Sequence, residues 1–308
     1  MEKKVLVVGS LNMDLVIKVD KLPMVGETIL GDDISYIPGG KGANQACAIG
    51  RLGGNVTMLG CVGKDNFGDL QRKQLASCKV DVSFLKESDV KSTGTAVIYI
   101  NSKGENTIVV IPGANNECDV PYLKQHDLLF QQCDYILLQM EIPYEAIIYT
   151  LSRANELGKT VILNPAPAPD SLSAEILKLI DYIIPNETEL IKLSNEKKID
   201  FETIERGAKT LITKGAKNVI VTMGDRGSLF VNEKETSHYP ARKVQAVDTT
   251  AAGDCFNGAF VVGLAEGKTE SEAIKLANIA SSIVVTRKGA QISIPTREET
   301  DRILREIS

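Results

Sequence analysis

The chain has no tryptophan and only two histidines, His126 and His238, and aromatic residues make up 5% of it. Its six cysteines, Cys47, Cys61, Cys78, Cys118, Cys133 and Cys255, occur singly, with no Cys-x-x-Cys pair. A zinc site is therefore not expected, and neither is a disulfide framework in a chain of 308 residues. Scattered thiols in a reducing cytosol are the expectation. Also missing is any basic run or interleaving of basic and aromatic residues. With a net charge of −5, this argues against a nucleic-acid partner, whose binders carry a basic footprint. Long apolar runs are lacking too. The segment VLVVG after MEKK is soon followed by Asn12 and Asp14, too short for the hydrophobic region of a secretion signal. Nothing approaches the ~18 apolar residues of a membrane span. A soluble, cytoplasmic protein is expected, of ordinary globular composition at 43% hydrophobic and 24% charged residues.

Short β-branched runs alternate with amphipathic helical patterns along most of the chain. Strands are expected at Lys4–Gly9, Val56–Cys61, Asp134–Gln139, Thr160–Leu163, Tyr182–Pro185 and Asn218–Thr222. Helices are expected at Ala43–Leu52, Tyr144–Leu157 and Thr203–Lys214, each closed by a glycine. Such repetition with short links predicts right-handed βαβ crossovers, hence one α/β body with a doubly wound, mostly parallel sheet and helices on both faces. Ser228–Val231 and Ser237–Pro240 read as an antiparallel hairpin on that sheet. Two regions break the rhythm, Leu15–Pro38 and Gly94–Ala114. The second reads as a hairpin, GTAVIYIN and NTIVVIP around a turn at Ser102-Lys103-Gly104-Glu105. Together they suggest a small separate β-sheet, either a lid over a site or an edge elaboration. There is no internal repeat.

Two familiar phosphate-binding patterns fail. Gly40-Lys41 is followed by Gly42 rather than Ser or Thr, and Ser35 stands where a P-loop needs its first glycine. The strand Val5–Val8 runs into Gly9-Ser10-Leu11-Asn12-Met13-Asp14, without the GxGxxG glycines of a dinucleotide site. What remains is a set of polar residues at strand ends, where open α/β sheets bind ligands. Asn12 and Asp14 are a candidate hydroxyl clamp or a turn. Gly39-Gly40-Lys41-Gly42-Ala43-Asn44 suits a polyhydroxyl or anionic ligand at a helix start, or simply caps that helix. Glu141, Asn186-Glu187-Thr188-Glu189 and Thr222-Met223-Gly224-Asp225-Arg226-Gly227 each follow a strand.

The most informative segment is VDTTAAGDCFNGAF, Val247 to Phe260. Ala251, Ala252 and Gly253 lead into Asp254 and a helix expected from about Cys255 to Leu264. The first N–H groups of a helix lack intrahelical partners and carry the positive end of its dipole. Small residues there let an anion approach the backbone. An ionised carboxylate beside such an anion hole is what phosphoryl transfer needs, as the base for an attacking hydroxyl. Asp254 as a plain N-cap is the competing reading.

Asn12-Met13-Asp14, Gly39 to Asn44, Asn186-x-x-Glu189, Asp248-Thr249-Thr250-Ala251-Ala252-Gly253-Asp254 and Thr286-Arg287-Lys288-Gly289-Ala290 occur in that order. On these motifs the chain resembles the ribokinase (PfkB-type) family of sugar kinases along nearly its full length. The resemblance implies a β-lid and ATP-dependent phosphorylation of a ribose O5 hydroxyl. Asn12, Met13, Asp14, Gly40, Lys41, Gly42, Ala43, Asn44 and Glu141 would hold D-ribose, with Asp254 as base and Ala251, Ala252 and Gly253 as anion hole. Asn186, Thr222, Met223, Gly224, Asp225, Arg226, Gly227, Gly253, Asp254 and Asn278 would bind ATP, with Glu189 organising Mg2+ through water. Asp248, Thr250, Val284, Arg287, Gly289 and Ser293 would surround K+, although Asp248 could instead pair with Arg287 or Lys288. Lid pairing would give a homodimer. Where this family often has Gly-Ala-Gly-Asp, the chain has Ala251-Ala252-Gly253-Asp254. Rival readings are a kinase for another small sugar or a nucleoside, and a non-catalytic sugar-binding regulator. The paucity of basic residues near Asn12, Asn44 and Glu141 disfavours a sugar phosphate, and the few aromatics disfavour a nucleoside.

Overall fold

The computed structural model describes residues 3–103 and 105–307. Its main sheet has eight strands, in the spatial order Thr236–Tyr239, Ser228–Asn232, Asn218–Thr222, Tyr182–Ile183, Thr160–Leu163, Tyr135–Leu138, Lys4–Val8 and Asn55–Leu59. Pairing is parallel from Asn218–Thr222 to Asn55–Leu59 and antiparallel in the terminal hairpin. The first strand shows why both faces are covered. Val5 and Val7 pack into one apolar layer with the helices Lys41–Arg51 and Ala252–Ala265. Leu6 and Val8 pack into the other with Tyr144–Glu156 and Phe201–Thr213. Alternation of side chains along a strand sends successive apolar residues to opposite layers. The expected doubly wound body is what forms.

The two regions that broke the rhythm do meet in a separate sheet. It has four strands, ordered Asp33–Gly39, Asn12–Lys18, Gly94–Ile100 and Asn106–Ile111. The middle pair is parallel and the outer pairs are antiparallel. The strand Asn12–Lys18 starts earlier than expected, so Asn12 and Asp14 are strand residues and not a turn. The cross-strand partners Gly39 and Gly94 opposite Asn12 fix that register. The expected turn at Ser102-Lys103-Gly104-Glu105 includes Gly104, which lies outside the described residues.

Two further differences concern what spacing does not reveal. Cys47 and Cys78 form a disulfide with a Cα–Cα separation of 5.2 Å, so the expectation of six free thiols does not hold. The residues are 31 apart in sequence and meet because the helix Lys41–Arg51 lies beside the end of Asn66–Ser77. Cys61, Cys118, Cys133 and Cys255 are free and buried. Among the described residues, no helix is long and apolar enough to cross a membrane.

Candidate active site

The carboxyl ends of the main strands and the root of the second sheet converge on one polar cleft. Asn12 and Asp14 share a face of their strand, whereas the intervening Met13 points into the core and is fully buried. Met13 therefore offers a ligand no side chain, contrary to the expectation. A Cβ on Gly39 would overlap the Asp14 carboxylate, so only glycine lets that carboxylate lie on the backbone there.

The helix expected from Ala43 begins at Lys41. Its first N–H groups are already used. Lys41 N–H donates to Glu141 Oε2 (3.2 Å), Gly42 N–H to Ser10 Oγ (3.3 Å) and Ala43 N–H to Ser10 O (2.9 Å). Ser10 Oγ in turn donates to Glu141 Oε2 at 2.6 Å. Gly42 and Ala43 thus shape the site without backbone donors to spare. The Lys41 ammonium and the Asn44 amide remain, and Asn44 Nδ2 donates to Asp254 Oδ2 at 2.9 Å.

Asp254 is not the N-cap. The helix runs Ala252–Ala265 with Ala251 at the cap position, no side chain caps it, and Asp254 stands in its first turn. Asp254 is 8% exposed, and Gln45 Nε2 donates to its Oδ1 at 3.0 Å. Ala251 has φ +62, a left-handed conformation that favours glycine. Around Gly253 there is open space, so the uncapped helix start is accessible from the cleft.

Electrostatics mark this end as unusual. Burial, then repulsion by Glu141 and Asp254, pushes the Asp14 carboxyl up to about 7, against the pull of Lys41. Burial acts to lower the Lys41 ammonium, yet Asp254, Glu141, Glu189 and Asp14 outweigh it and leave its pKa raised. Glu189 is also pushed up by burial, against the Asn186 N–H and Lys41. Four carboxylates thus share one lysine, with little water to screen them.

Beside Gly253 lies a cavity of about 610 Å³ lined by Thr222, Gly224, Asp225, Gly227, Gly253 and Asn278, among others. This is ample for a mononucleotide. Six of the ten residues expected to bind ATP are brought together here. Met223 is buried instead, and the Arg226 guanidinium is occupied by Glu187. Asn186 and Glu189 form a capping box, each side chain accepting from the other's N–H at 2.8 Å. Asn278 Nδ2 is engaged by Ser228 Oγ at 3.1 Å. Sequence reading missed the apolar wall of this cavity, made by Val244, Phe256 and Val285. It also missed Ser10, Gln139 and Asn164, whose position just past strand ends was the available signal, and Gln45, in the first turns of the helix Lys41–Arg51.

Next to the start of the helix Ala252–Ala265, Asp248 gathers two loops. Its Oδ1 accepts from Thr250 N–H (2.9 Å) and Oγ1 (2.6 Å), and its Oδ2 from Gly289 N–H (2.9 Å). Burial opposes its charge, but these donors and Lys288 outweigh that and hold it below the usual range. Arg287 pairs with Glu299 at 2.6 Å. Val284 ends the helix Glu270–Val284. Ser293 Oγ donates to Ala290 O at 2.6 Å.

A carboxylate in the first turn of an uncapped helix, between a nucleotide-sized cavity and a cleft of hydroxyl-binding groups, defines an α/β phosphotransferase acting on an alcohol. The chain belongs to the pfkB family of carbohydrate kinases, whose model matches residues 2–297. It is 40% identical over 301 residues to a ribokinase of Haemophilus influenzae, covering 97% of this chain and 98% of that one. It is 34% identical to a deoxyribokinase of Salmonella typhi, covering 97% of both. The structure of Arabidopsis thaliana ribokinase complexed with ribose and ATP superposes with a TM-score of 0.92. That protein is 32% identical, and 99% of each chain is covered.

Proposed function

We propose that this protein transfers the γ-phosphoryl group of ATP to the O5 hydroxyl of D-ribose, giving ribose 5-phosphate and ADP. The observation that carries the choice of acceptor is the crowding of Asp14, Glu141, Glu189 and Asp254 around a single lysine. Carboxylates accept hydrogen bonds from hydroxyl groups and repel a phosphate, so a neutral polyol fits and a sugar phosphate does not.

In this reading Asn12, Asp14, Lys41, Asn44 and Glu141 hold the sugar. Asp254 takes the proton of O5 as that oxygen attacks the γ-phosphorus. Ala252 N–H is taken by the Thr249 carbonyl (3.2 Å), so in this reading the N–H groups of Gly253 and Asp254 face the charge carried by the phosphoryl oxygens. Thr222, Gly224, Asp225, Gly227, Gly253 and Asn278 bind the nucleotide. The donor set suits Mg2+ arriving on the ATP phosphates, since that ion keeps several waters and takes few protein oxygens. Glu189, whose Oε2 is used in its capping box, would reach it through water, and the ion would neutralise phosphate charge.

A K+ ion fits beside Asp248. Arg287 is paired elsewhere, and Thr250, Val284, Arg287 and Gly289 carbonyls with Ser293 supply the oxygens a hard cation takes. Its contribution would be to steady the Thr250–Gly253 backbone. The four-stranded sheet would close over the sugar as a lid. Its exposed apolar residues Ile34, Tyr36, Ile108 and Val110, all on its two edge strands, would be covered by a second copy. Sedimentation would show a dimer at micromolar concentration; a fully active monomer would remove this part. An ATP-consuming reaction suits the cytoplasm.

The test of function is ADP release with ribose, deoxyribose, fructose, fructose 1-phosphate and adenosine as acceptors. Ribose is expected to give the highest kcat/KM. A clear preference for deoxyribose, as in the Salmonella relative's name, would reassign the substrate. No acceptor-dependent release with any sugar would leave a non-catalytic binding protein.

A further inference from the structure

Behind Asp254 runs a line of buried amides that the reaction as described does not use. Asn164 Nδ2 donates to the Ile184 carbonyl (3.0 Å), and Asn164 Oδ1 accepts from Gln45 Nε2 (3.0 Å). The same Gln45 Nε2 donates to Asp254 Oδ1 (3.0 Å), and Gln45 Oε1 accepts from Gln139 Nε2 (2.6 Å). Gln45 and Gln139 are fully buried, and Asn164 is 7% exposed.

The direction of this line follows from its ends. A backbone carbonyl only accepts, so Asn164 must turn its NH2 to Ile184 and its oxygen to Gln45. Gln45 must then present NH2 to Asn164, and that same NH2 meets Asp254, an acceptor when ionised. Gln139 completes the fit by donating to the remaining oxygen. Packing makes room for it. A Cβ on Gly9 would overlap Gln139 Oε1, and one on Gly258 would overlap Ala48 and crowd the Gln45 carbonyl. Glycines at these two places let the amides in and bring the helix of Asp254 down onto the helix of Gln45.

We propose that Gln45 is a positioning residue for Asp254, fixed as a double donor by Gln139 and Asn164. With Gln45 on Oδ1 and Asn44 on Oδ2, the carboxylate plane is set and its remaining lone pairs face the acceptor hydroxyl. This rests on Asp254 being the base.

The experiment compares Gln45→Met, Gln139→Met, Asp254→Asn and the double variant Gln45→Met/Asp254→Asn, reading kcat and both KM values with the acceptor the enzyme turns over. Loss of one hydrogen bond to a charged group predicts a fall in kcat of about ten- to a hundredfold for Gln45→Met, with KM for sugar and ATP within about twofold. Gln139→Met leaves the donor but frees its orientation, and a smaller fall of about three- to tenfold is expected. In the Asp254→Asn background, Gln45→Met should cost less than about twofold more, because groups acting as a unit are not additive. Near-normal kcat in Gln45→Met, or an equal loss with and without Asp254, overturns the proposal while leaving Asp254 as base. Should Gln45→Met not fold, unchanged kcat in Gln139→Met overturns it. Full activity in Asp254→Asn would instead remove the base itself.

Discussion

The two ends of the cleft solve their binding problems with different parts of the chain. The acceptor end is built of side chains. Asp14, Glu141, Glu189 and Asp254 all act on Lys41, and burial with repulsion from neighbouring carboxylates raises the carboxyls of Asp14 and Glu189. The nucleotide end sets an apolar wall of Val244, Phe256 and Val285 against loop backbone at Gly224, Gly227 and Gly253, with an uncapped helix start at its edge. Side chains titrate and backbone N–H groups do not. The acceptor end should therefore answer to pH and to charge-neutral substitution, and the nucleotide end to changes of loop geometry.

The largest expected effect comes from Asp254→Asn, which should lower kcat by roughly two to four orders of magnitude with the fold intact, the range for a general base. Steady-state rates with sugar and ATP binding measured separately check this. Near-normal turnover with unchanged affinities would contradict it. Next, replacing K+ by Na+ or tetramethylammonium at constant ionic strength should lower kcat markedly, and Asp248→Ala should abolish the difference. Equal rates in all three salts would leave Asp248 as a loop tie alone.

A third prediction concerns pH. With its carboxyl near 7 in the free protein, Asp14 is protonated below that value. If it binds sugar as the anion, kcat/KM for the sugar falls as pH drops below about 7, by up to tenfold per unit. At saturating sugar kcat falls less, because bound sugar holds the charged form. The stability consequence has the opposite sense. The folded state resists ionising this group, so its cost to stability grows as pH rises from about 4 to 7. Asp14→Asn should raise the melting temperature at pH 8 but not at pH 4, by about 2–4 °C per kcal/mol relieved. No difference between the two pH values would show that Asp14 is not strained.

The smallest effect belongs to the backbone end. Ala251→Gly should change kcat less than about twofold, since glycine keeps the N–H and relieves a left-handed alanine worth about 1 kcal/mol. A large loss would mean that the alanine methyl itself shapes the site.

Periodicity carried the sheet and its helices, because alternation and amphipathic spacing are consequences of burial. The separate sheet was legible as strands without helices between them. Its register was not, and so Asn12 and Asp14 were taken for loop residues. Placement at strand ends pointed to Asp14 and Glu141, and the small residues before a helix pointed to Asp254. Neither could show that Met13 turns inward or that Ser10 and Glu141 use the N–H groups of the Lys41 helix. The Cys47–Cys78 bond and the amides on Gln45 join residues far apart in sequence, which local pattern cannot reveal.

The most direct test of the account is the phosphorus NMR spectrum of the product formed from ribose and ATP. It should show one phosphomonoester coupled to the two protons on C5, formed only with ribose present. Phosphate on another carbon, or inorganic phosphate released regardless of sugar, would contradict an acceptor end that presents O5 to Asp254.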